Sequence, residues 1–517
     1  MPKRGHRPTE ISGGVLCLDG RASPPPELVG HKGHGIATMR RHGLPVPPAF
    51  CITTAVGARY LAQPRATMDA IWPDVLDALA RLEAETSRTF GAGPAPLLLS
   101  VRSGAAMSMP GMMDTVLNLG MCDAVEQALA AQAGTTFAHD TRQRFTRCYR
   151  RIVADAVPDD PSLQLRAAIE AVFMSWRSPR AVAYRAHHDL DDRLGTAAVV
   201  QAMVFGNMGT KSGAGVIFSR NPMTGADDEF GEWRPGGQGD EVVSGTADVE
   251  PITGLRDQQP KVYGELTAAA RTLEQIHREA QEVEFTVEDG TLWLLQTRTA
   301  QRSPQATVRV ALRLRREGLI DDTEVLRRVS PTDVEALLRP TLQPETRLGA
   351  KLLAKGLAAA PGVASGRAYT DVQAAVAAAD NGDDVILVRH HTSPEDIHGM
   401  LVARGVVTET GGATSHAAVV SRELGRVAVV GCGPGIVESL AGRLITVDGD
   451  VGEVRDGILP LSAWSEQDSP ELRELSEIAL RLGSRHGRTG LTRGATDVVS
   501  DSPLITMLTA LRLSEKT

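Results

Sequence analysis

Residues 410–431 read TGGATSHAAVVSRELGRVAVVG. A β-rich run, Val406–Thr408, enters the pair Gly411-Gly412, and Ala417–Leu424 then carries a helical pattern that Gly425 can stop. Thr414 and Ser415 are both good N-cap types, because a side-chain oxygen satisfies an amide left free in the first helical turn. The string predicts strand, turn and helix, with His416 in the helix's first turn. Amides and dipole at such a turn attract anions. They also lower the pKa of an imidazole, which keeps a neutral, nucleophilic ring available near pH 7. The competing reading is ordinary: the chain holds 13 histidines, and most histidines are surface or structural residues.

Working outward, Val385–Val388, Val427–Val430 and Leu444–Val447 are further strands, so about 358–456 reads as one compact α/β unit. Pro340, Pro344 and Pro361 punctuate a boundary before it, and Gln305–Leu338 reads as a helical connector. Its run Arg309–Arg316 alternates with Val and Leu and reads as a solvated helix face. Earlier still, buried strands (Leu97–Val101, Val199–Phe205, Gly215–Phe218) alternate with amphipathic helices (Met68–Thr86, Leu163–Trp176). Residues up to Pro26 read as loosely structured. Beyond 456 one amphipathic helix, Pro470–Leu482, reads as a packed cap rather than a docking helix, followed by a Gly/Arg-rich tail.

Composition bounds the function class. Hydrophobic residues are 42% and charged residues 23%, enough for large cores in a chain of three or four domains. A net charge of -8 argues against a nucleic-acid binder. Five cysteines without a CxxC pair fit a reducing cytoplasm better than a disulfide framework. No stretch approaches the roughly 20 apolar residues of a membrane helix, and the basic N-terminus has no apolar run behind it.

Two further segments carry chemistry. Val283–Val287 and Leu292–Gln296 flank Glu288-Asp289-Gly290, which predicts a hairpin with a three-residue loop. If Val287 pairs with Thr291, Glu282 opposes Gln296, Glu284 is its diagonal neighbour, and Arg298 follows on the same face. Carboxylate, amide oxygen and guanidinium so grouped fit a Mg²⁺–triphosphate site; the alternative is a plain polar face. Leu99–Gly120 (LSVRSGAAMSMPGMMDTVLNLG) places Arg102 at a strand end, where its planar fork suits phosphate.

GGATSHAAVVSRELG closely resembles the phosphohistidine segment of the pyruvate phosphate dikinase and phosphoenolpyruvate synthase family, and VRSGAAMSMPGMMDT resembles the dikinase branch in particular. The resemblance, over roughly 28–456, implies an α/β multidomain protein. It would have an ATP-grasp nucleotide-binding head and a swivelling β/β/α phosphohistidine domain. The expected division is a flexible N-terminus (1–27), the ATP-grasp head (28–300), a helical connector (301–357), the swivelling domain (358–456) and a C-terminal helix and tail (457–517). LVGHKGHGIATM (28–39) resembles the family's phosphate-binding glycine loop, with Lys32 as its lysine and His31 in place of a glycine. QAMVFGNMG (201–209) resembles the adenine-facing segment, with Gln201 and Met203 as binding residues. VEFTVEDGTLWLLQTR resembles the metal hairpin, which assigns Mg²⁺ to Glu284 and Gln296, with Glu282 as a further ligand, and phosphate to Arg298. His416 is implied as the phosphoryl carrier, and Thr414 as a regulatory phosphorylation position whose alternative is a plain N-cap.

Two departures qualify this. Pro158–Leu163 leads directly into the next helix where the family carries a longer insert, and RPGGQG (234–239) differs from its pattern. Roughly 60 residues remain after Asp456, whereas the family's pyruvate-binding (β/α)₈ barrel takes about 250. The expectation is therefore a short, cytoplasmic ATP-dependent phosphotransferase. It would autophosphorylate His416 from ATP with phosphate, releasing AMP and pyrophosphate, and need a separate protein for the pyruvate half. A homodimer is compatible with this; nucleic acid and membrane are not expected partners. The alternatives are a kinase for another small molecule and a non-catalytic nucleotide-sensing subunit.

Overall fold

The computed structural model describes residues 10–515 except 12–13, 106, 108, 110–111, 188–189, 229, 244–248, 339–340, 343, 462–468 and 486–501. Most of the Gly/Arg-rich tail, and Pro110 and Gly111 of the MPGMMDT string, lie outside the described residues.

A six-stranded antiparallel sheet runs in the order Glu10–Ile11, Val15–Cys17, Ala49–Ile52, Ala197–Ala202, Leu99–Gly104, Thr115–Leu119. Helices Pro64–Thr86, Asp123–Ala133, Thr135–Ile152 and Pro161–Met174 cover one face, burying Ile71, Val101, Val116, Phe145, Ile169 and Val200 in one core. On the other face Val29, Cys51 and Val199 share a core with Trp233, Val283, Phe285 and Leu294. The last four belong to a second antiparallel sheet, ordered Glu250–Pro251, Phe230–Pro235, Gly213–Phe218, Gln281–Glu288, Thr291–Thr299. Residues with alternating polar and apolar character on Leu99–Gly104 and Gln281–Glu288 thus face each other across a shared interior.

Three expectations need correction here. The N-terminus is not loose throughout: Val15–Cys17 pairs with Ala49–Ile52, and Val15 and Leu16 are buried. The segment expected as a glycine loop is a helix, Pro26–Arg41, kinked at Gly30 (φ 70°). A Cβ on Gly30 would collide with the Gly104 carbonyl, and His31 N–H donates to Ala105 O at 3.0 Å, so only glycine permits this backbone approach. Lys32 sits just past the kink. The hairpin loop has two residues, with Asp289 (φ 46°) and Gly290 (φ 77°) left-handed and Glu288 opposite Thr291. That register alone would throw Glu284 and Gln296 onto opposite faces. Pairing jumps from Phe285↔Leu294 to Glu284↔Gln296, so Leu295 is an inserted bulge residue, and Glu282 faces Arg298.

The third sheet has eight strands, in the order Leu352–Lys355, Glu453–Asp456, Leu444–Asp448, Val363–Tyr369, Val385–Arg389, Gly405–Thr408, Val427–Val430, Leu357–Ala360. Its centre, from Val363–Tyr369 to Val427–Val430, is parallel, which suits its near-continuous Val/Ile/Leu strands.

Among the described residues the connector holds four helices, Pro304–Arg316, Asp322–Arg328, Pro331–Leu338 and the short Pro344–Gly349. Val308, Leu312 and Val325 share a core with Leu472, Leu475 and Ile478 of Pro470–Arg485 and with Leu504 and Leu508 of a further helix, Pro503–Glu515. The arginine run stays partly exposed, Arg316 to 58%, but its guanidinium groups are held in ion pairs. Arg309 pairs with Glu471 at 2.6 Å, Arg315 with Glu474 at 3.5 Å, and Arg316 also pairs with Glu474. No helix among the described residues is long and apolar enough to cross a membrane.

Candidate active site

The bulge brings the polar residues of the hairpin to one place. Arg102, in the middle of Leu99–Gly104 rather than at its end, reaches across from the first sheet. Its Nη2 donates to Glu284 Oε2 at 3.0 Å and to Gln296 Oε1 at 2.9 Å. Arg298 Nη2 donates to Glu282 Oε1, and Glu282 Oε2 is buried without a partner. Lys32 completes the cluster: burial pushes its ammonium down to about 7, helped by Arg102 and Arg298 and opposed by Glu284. Burial would raise the Glu284 carboxyl, but Arg102, Arg298 and Lys32 outweigh it and hold the group below its ordinary value. Burial likewise lowers Arg298, yet Glu282 and Glu284 leave it above its ordinary value. Six of the expected residues, Lys32, Arg102, Glu282, Glu284, Gln296 and Arg298, thus meet.

Gln201 lies on the same sheet face as Arg102, since Ser100 pairs with Gln201 and Arg102 with Val199. Its amide is spent on Pro47 O at 3.2 Å. Met203 follows the strand's end, packs half-buried against the first core, and donates its N–H to Leu98 O. Neither side chain touches the cluster through a hydrogen bond. The cluster fits a divalent cation carried by a triphosphate: Glu284 and Gln296 offer two hard oxygens converging on one point, and Glu282 Oε2 is an unspent third.

His416 opens the helix His416–Glu423, as expected from the string, and Ser415 is the N-cap. Thr414 is not the cap. The imidazole Nδ1 meets Thr392 Oγ1 at 3.1 Å, and Nε2 is buried with no partner. Burial pushes the ring's pKa down to about 4, against the pull of Asp396 and Glu395. The expected direction holds, but its first cause is desolvation rather than the helix end.

The helix that His416 opens, and the turn before it, sit against the part of the chain that holds the basic cluster. Glu232, on Phe230–Pro235, accepts from Ala413 N–H, from Thr414 N–H at 3.2 Å and from Thr414 Oγ1 at 2.7 Å. A Cβ on Gly412 would strike this carboxylate, which explains the second glycine of the turn. Tyr184 OH donates to Glu423, and Arg180 reaches Glu395 at 3.4 Å. Arg422 is buried and donates to Ala359 O and Ala413 O, both at 2.9 Å, close enough to Glu282 and Arg298 for their charges to act on it.

Thr392, Glu232 and Arg422 were not read from the sequence. Thr392 precedes a capping box, Ser393 with Asp396, which marks a helix start but not an imidazole partner. Arg422 lay inside the quoted string unremarked. Glu232 had no local signal. Replacing Glu232 with Ala is expected to leave two amides and a hydroxyl unpaired in the docked arrangement, weakening docking by about 2–3 kcal/mol. Small-angle scattering should then show a larger radius of gyration, with the main unfolding transition little moved. Scattering identical to the unsubstituted protein's would count against this role.

With that geometry in view, residues 65–262 match the protein-family model "Pyruvate phosphate dikinase, AMP/ATP-binding domain", and residues 381–452 match "PEP-utilising enzyme, mobile domain". Among curated proteins, the chain is 39% identical over 478 residues to pyruvate, phosphate dikinase 2 of Zea mays, covering 83% of this chain and 54% of that protein. It is 38% identical over 507 residues to the pyruvate, phosphate dikinase of Rhizobium meliloti (84% and 56%). For that of Clostridium symbiosum it is 36% over 491 residues (83% and 56%). The chain spans about half the length of the curated relatives it matches. Joined in one polypeptide, it carries an AMP/ATP-binding domain of the pyruvate phosphate dikinase type and the mobile domain of PEP-utilising enzymes.

Proposed function

We propose that this chain is an ATP-dependent phosphotransferase that loads a phosphoryl group onto His416. The observation that carries this reading is the imidazole itself. Nδ1 is engaged by Thr392, Nε2 is neutral and unpartnered, and the helix bearing it packs on the half that holds the basic cluster. ATP binds with its triphosphate on Lys32, Arg102 and Arg298, and Gln201 and Met203 line the approach of the base. A Mg²⁺ ion held by Glu284 and Gln296, with Glu282 beside them, supplies charge neutralisation to the phosphates.

The Nε2 lone pair attacks the β-phosphorus, the bond from that phosphorus to the α–β bridging oxygen breaks, and AMP leaves. An oxygen of inorganic phosphate then attacks the γ-phosphorus. The bond from that phosphorus to the β–γ bridging oxygen breaks, pyrophosphate departs, and a single phosphoryl group, keeping that oxygen, stays on His416. The three cations offset the charge that spreads over the phosphoryl oxygens, the main task in phosphoryl transfer. The neutral ring removes any need for a base to deprotonate the nucleophile.

In this reading residues 28–300 are the nucleotide head, 358–456 the swivelling carrier, and the helices between and after them the frame on which it turns. The pyruvate half-reaction, which the names of the relatives suggest, would be completed at a site other than this cluster. Thr414, buried beneath Glu232, would be open to a modifying enzyme only when the carrier is undocked. The test uses ATP labelled separately at the β- and γ-phosphates, with Mg²⁺ and phosphate. Acid-labile, base-stable protein label is expected from both the β and γ positions without phosphate, and from the β position alone with it. Absence of protein label, or retained γ-label in the presence of phosphate, would overturn the scheme.

A further inference from the structure

The two oxygens that suit a divalent cation are already in use. Arg102 Nη2 lies between Glu284 Oε2 at 3.0 Å and Gln296 Oε1 at 2.9 Å, and the strand register across the Leu295 bulge is what sets those two oxygens face to face. A Mg²⁺ ion needs its oxygens at about 2.0–2.1 Å. An ion held by both oxygens would therefore compete with the guanidinium nitrogen, which already spans the same pair. Around that point three basic side chains, Lys32, Arg102 and Arg298, stand against two carboxylates, Glu282 and Glu284. Such a balance attracts a polyanion and repels a free dication, all the more because Arg102 and Glu284 are mostly buried.

We propose that Arg102 is a gate that keeps free divalent cation out of the Glu284/Gln296 pair and yields it only when a triphosphate gives its guanidinium other oxygens to bind. The inference rests on the nucleotide-site reading above and adds an order to it. Metal and nucleotide enter together, and each raises the affinity for the other. The coupling is reciprocal, as linkage requires. Arg102 is then both a phosphate contact and the determinant that prevents metal binding without substrate. An arginine suits this role, since its planar fork can hold two oxygens at once and exchange them for phosphate oxygens without losing charge.

The test reads metal binding, not turnover. Mn²⁺ replaces Mg²⁺, and bound ion is counted by electron paramagnetic resonance on the full chain. Unsubstituted protein without nucleotide is expected to bind Mn²⁺ weakly, and with a nonhydrolysable ATP analogue much more tightly. Arg102→Met is expected to bind nucleotide-free Mn²⁺ at least about tenfold more tightly, within the usual range of coupling between sites. Glu284→Gln, placed in the same Arg102→Met background, should remove that gain. Three results separate the possibilities. If the unsubstituted protein binds Mn²⁺ equally weakly with and without the analogue, the nucleotide–metal reading of the site fails. If it gains Mn²⁺ with the analogue but Arg102→Met binds free Mn²⁺ no better, the gate alone fails. If nucleotide-free unsubstituted protein already binds Mn²⁺ as tightly as the loaded form, the gate also fails, whether or not the variant folds.

Discussion

His416→Asn is expected to abolish protein labelling from β-labelled ATP, by at least about four orders of magnitude, because no other group supplies the nucleophile. Binding of ATP itself should change by no more than about threefold, since the imidazole touches none of the basic cluster. The pH dependence separates this histidine from an exposed one. With a folded value of about 4, the ring is neutral throughout pH 5.5–8. Labelling should therefore stay flat, as far as this group is concerned, down to about pH 5. An imidazole at the ordinary 6.5 would be only about a quarter neutral at pH 6. The same shift acts on stability. Here the folded value lies below the unfolded one, so the unfolded chain takes up the proton first. Stability is complete above about 6.5 and is lost as pH falls towards about 4. Single-turnover labelling and thermal unfolding across pH 5–8 measure both. A labelling rate that halves near pH 6.5 would show that the ring is not desolvated.

Glu284→Gln is expected to slow His416 labelling by about 10²–10³, the loss seen when one preorganised electrostatic partner of the reacting charge is removed. Its carboxylate is the counter-charge shared by Arg102, Arg298 and Lys32. Without it those cations face one another, and the fold should lose on the order of 2–4 kcal/mol, moderated because the amide can still accept from Arg102. A polyanion should restore much of that: inorganic tripolyphosphate is expected to raise the unfolding temperature of Glu284→Gln more than that of the unsubstituted chain. The sign of the pH effect follows from the depressed carboxyl. Its contribution is present above the unfolded value and fades as pH falls through the lower folded one, so the two proteins should converge in stability in acid. Equal labelling rates at pH 7 would remove Glu284 from the site.

Some of this was legible in the linear chain. The strand, double glycine, cap and helix around His416 follow from neighbours within a dozen residues, and so did their structure. The hairpin's polar residues were legible by type. Their meeting was not: the predicted pairing of Val287 with Thr291 was wrong, and one bulge residue, Leu295, restored the parity that the two-residue turn would have spoiled. Opposite that bulge the partner strand, Gln281–Glu288, also pairs on its other side with Gly213–Phe218, a segment nearly 70 residues away.

Glu232 makes the same point more sharply. Nothing in FGEWRP distinguishes it from any half-exposed strand glutamate, yet it holds the turn before His416 through Thr414, 182 residues on. The arginine run of Pro304–Arg316 looked solvated because its acidic partners, Glu471 and Glu474, lie some 160 residues later. The pKa of His416 was expected to fall through the helix dipole, a local cause, and falls first through burial, which only packing creates. What the sequence by itself determined was the chemical type of each site residue and the local conformation around His416, because caps, glycines and periodicity act over a few bonds. What the tertiary structure alone decided was register, burial and the pairing of charges between sheets, because those depend on contacts whose closing loops carry no local signature.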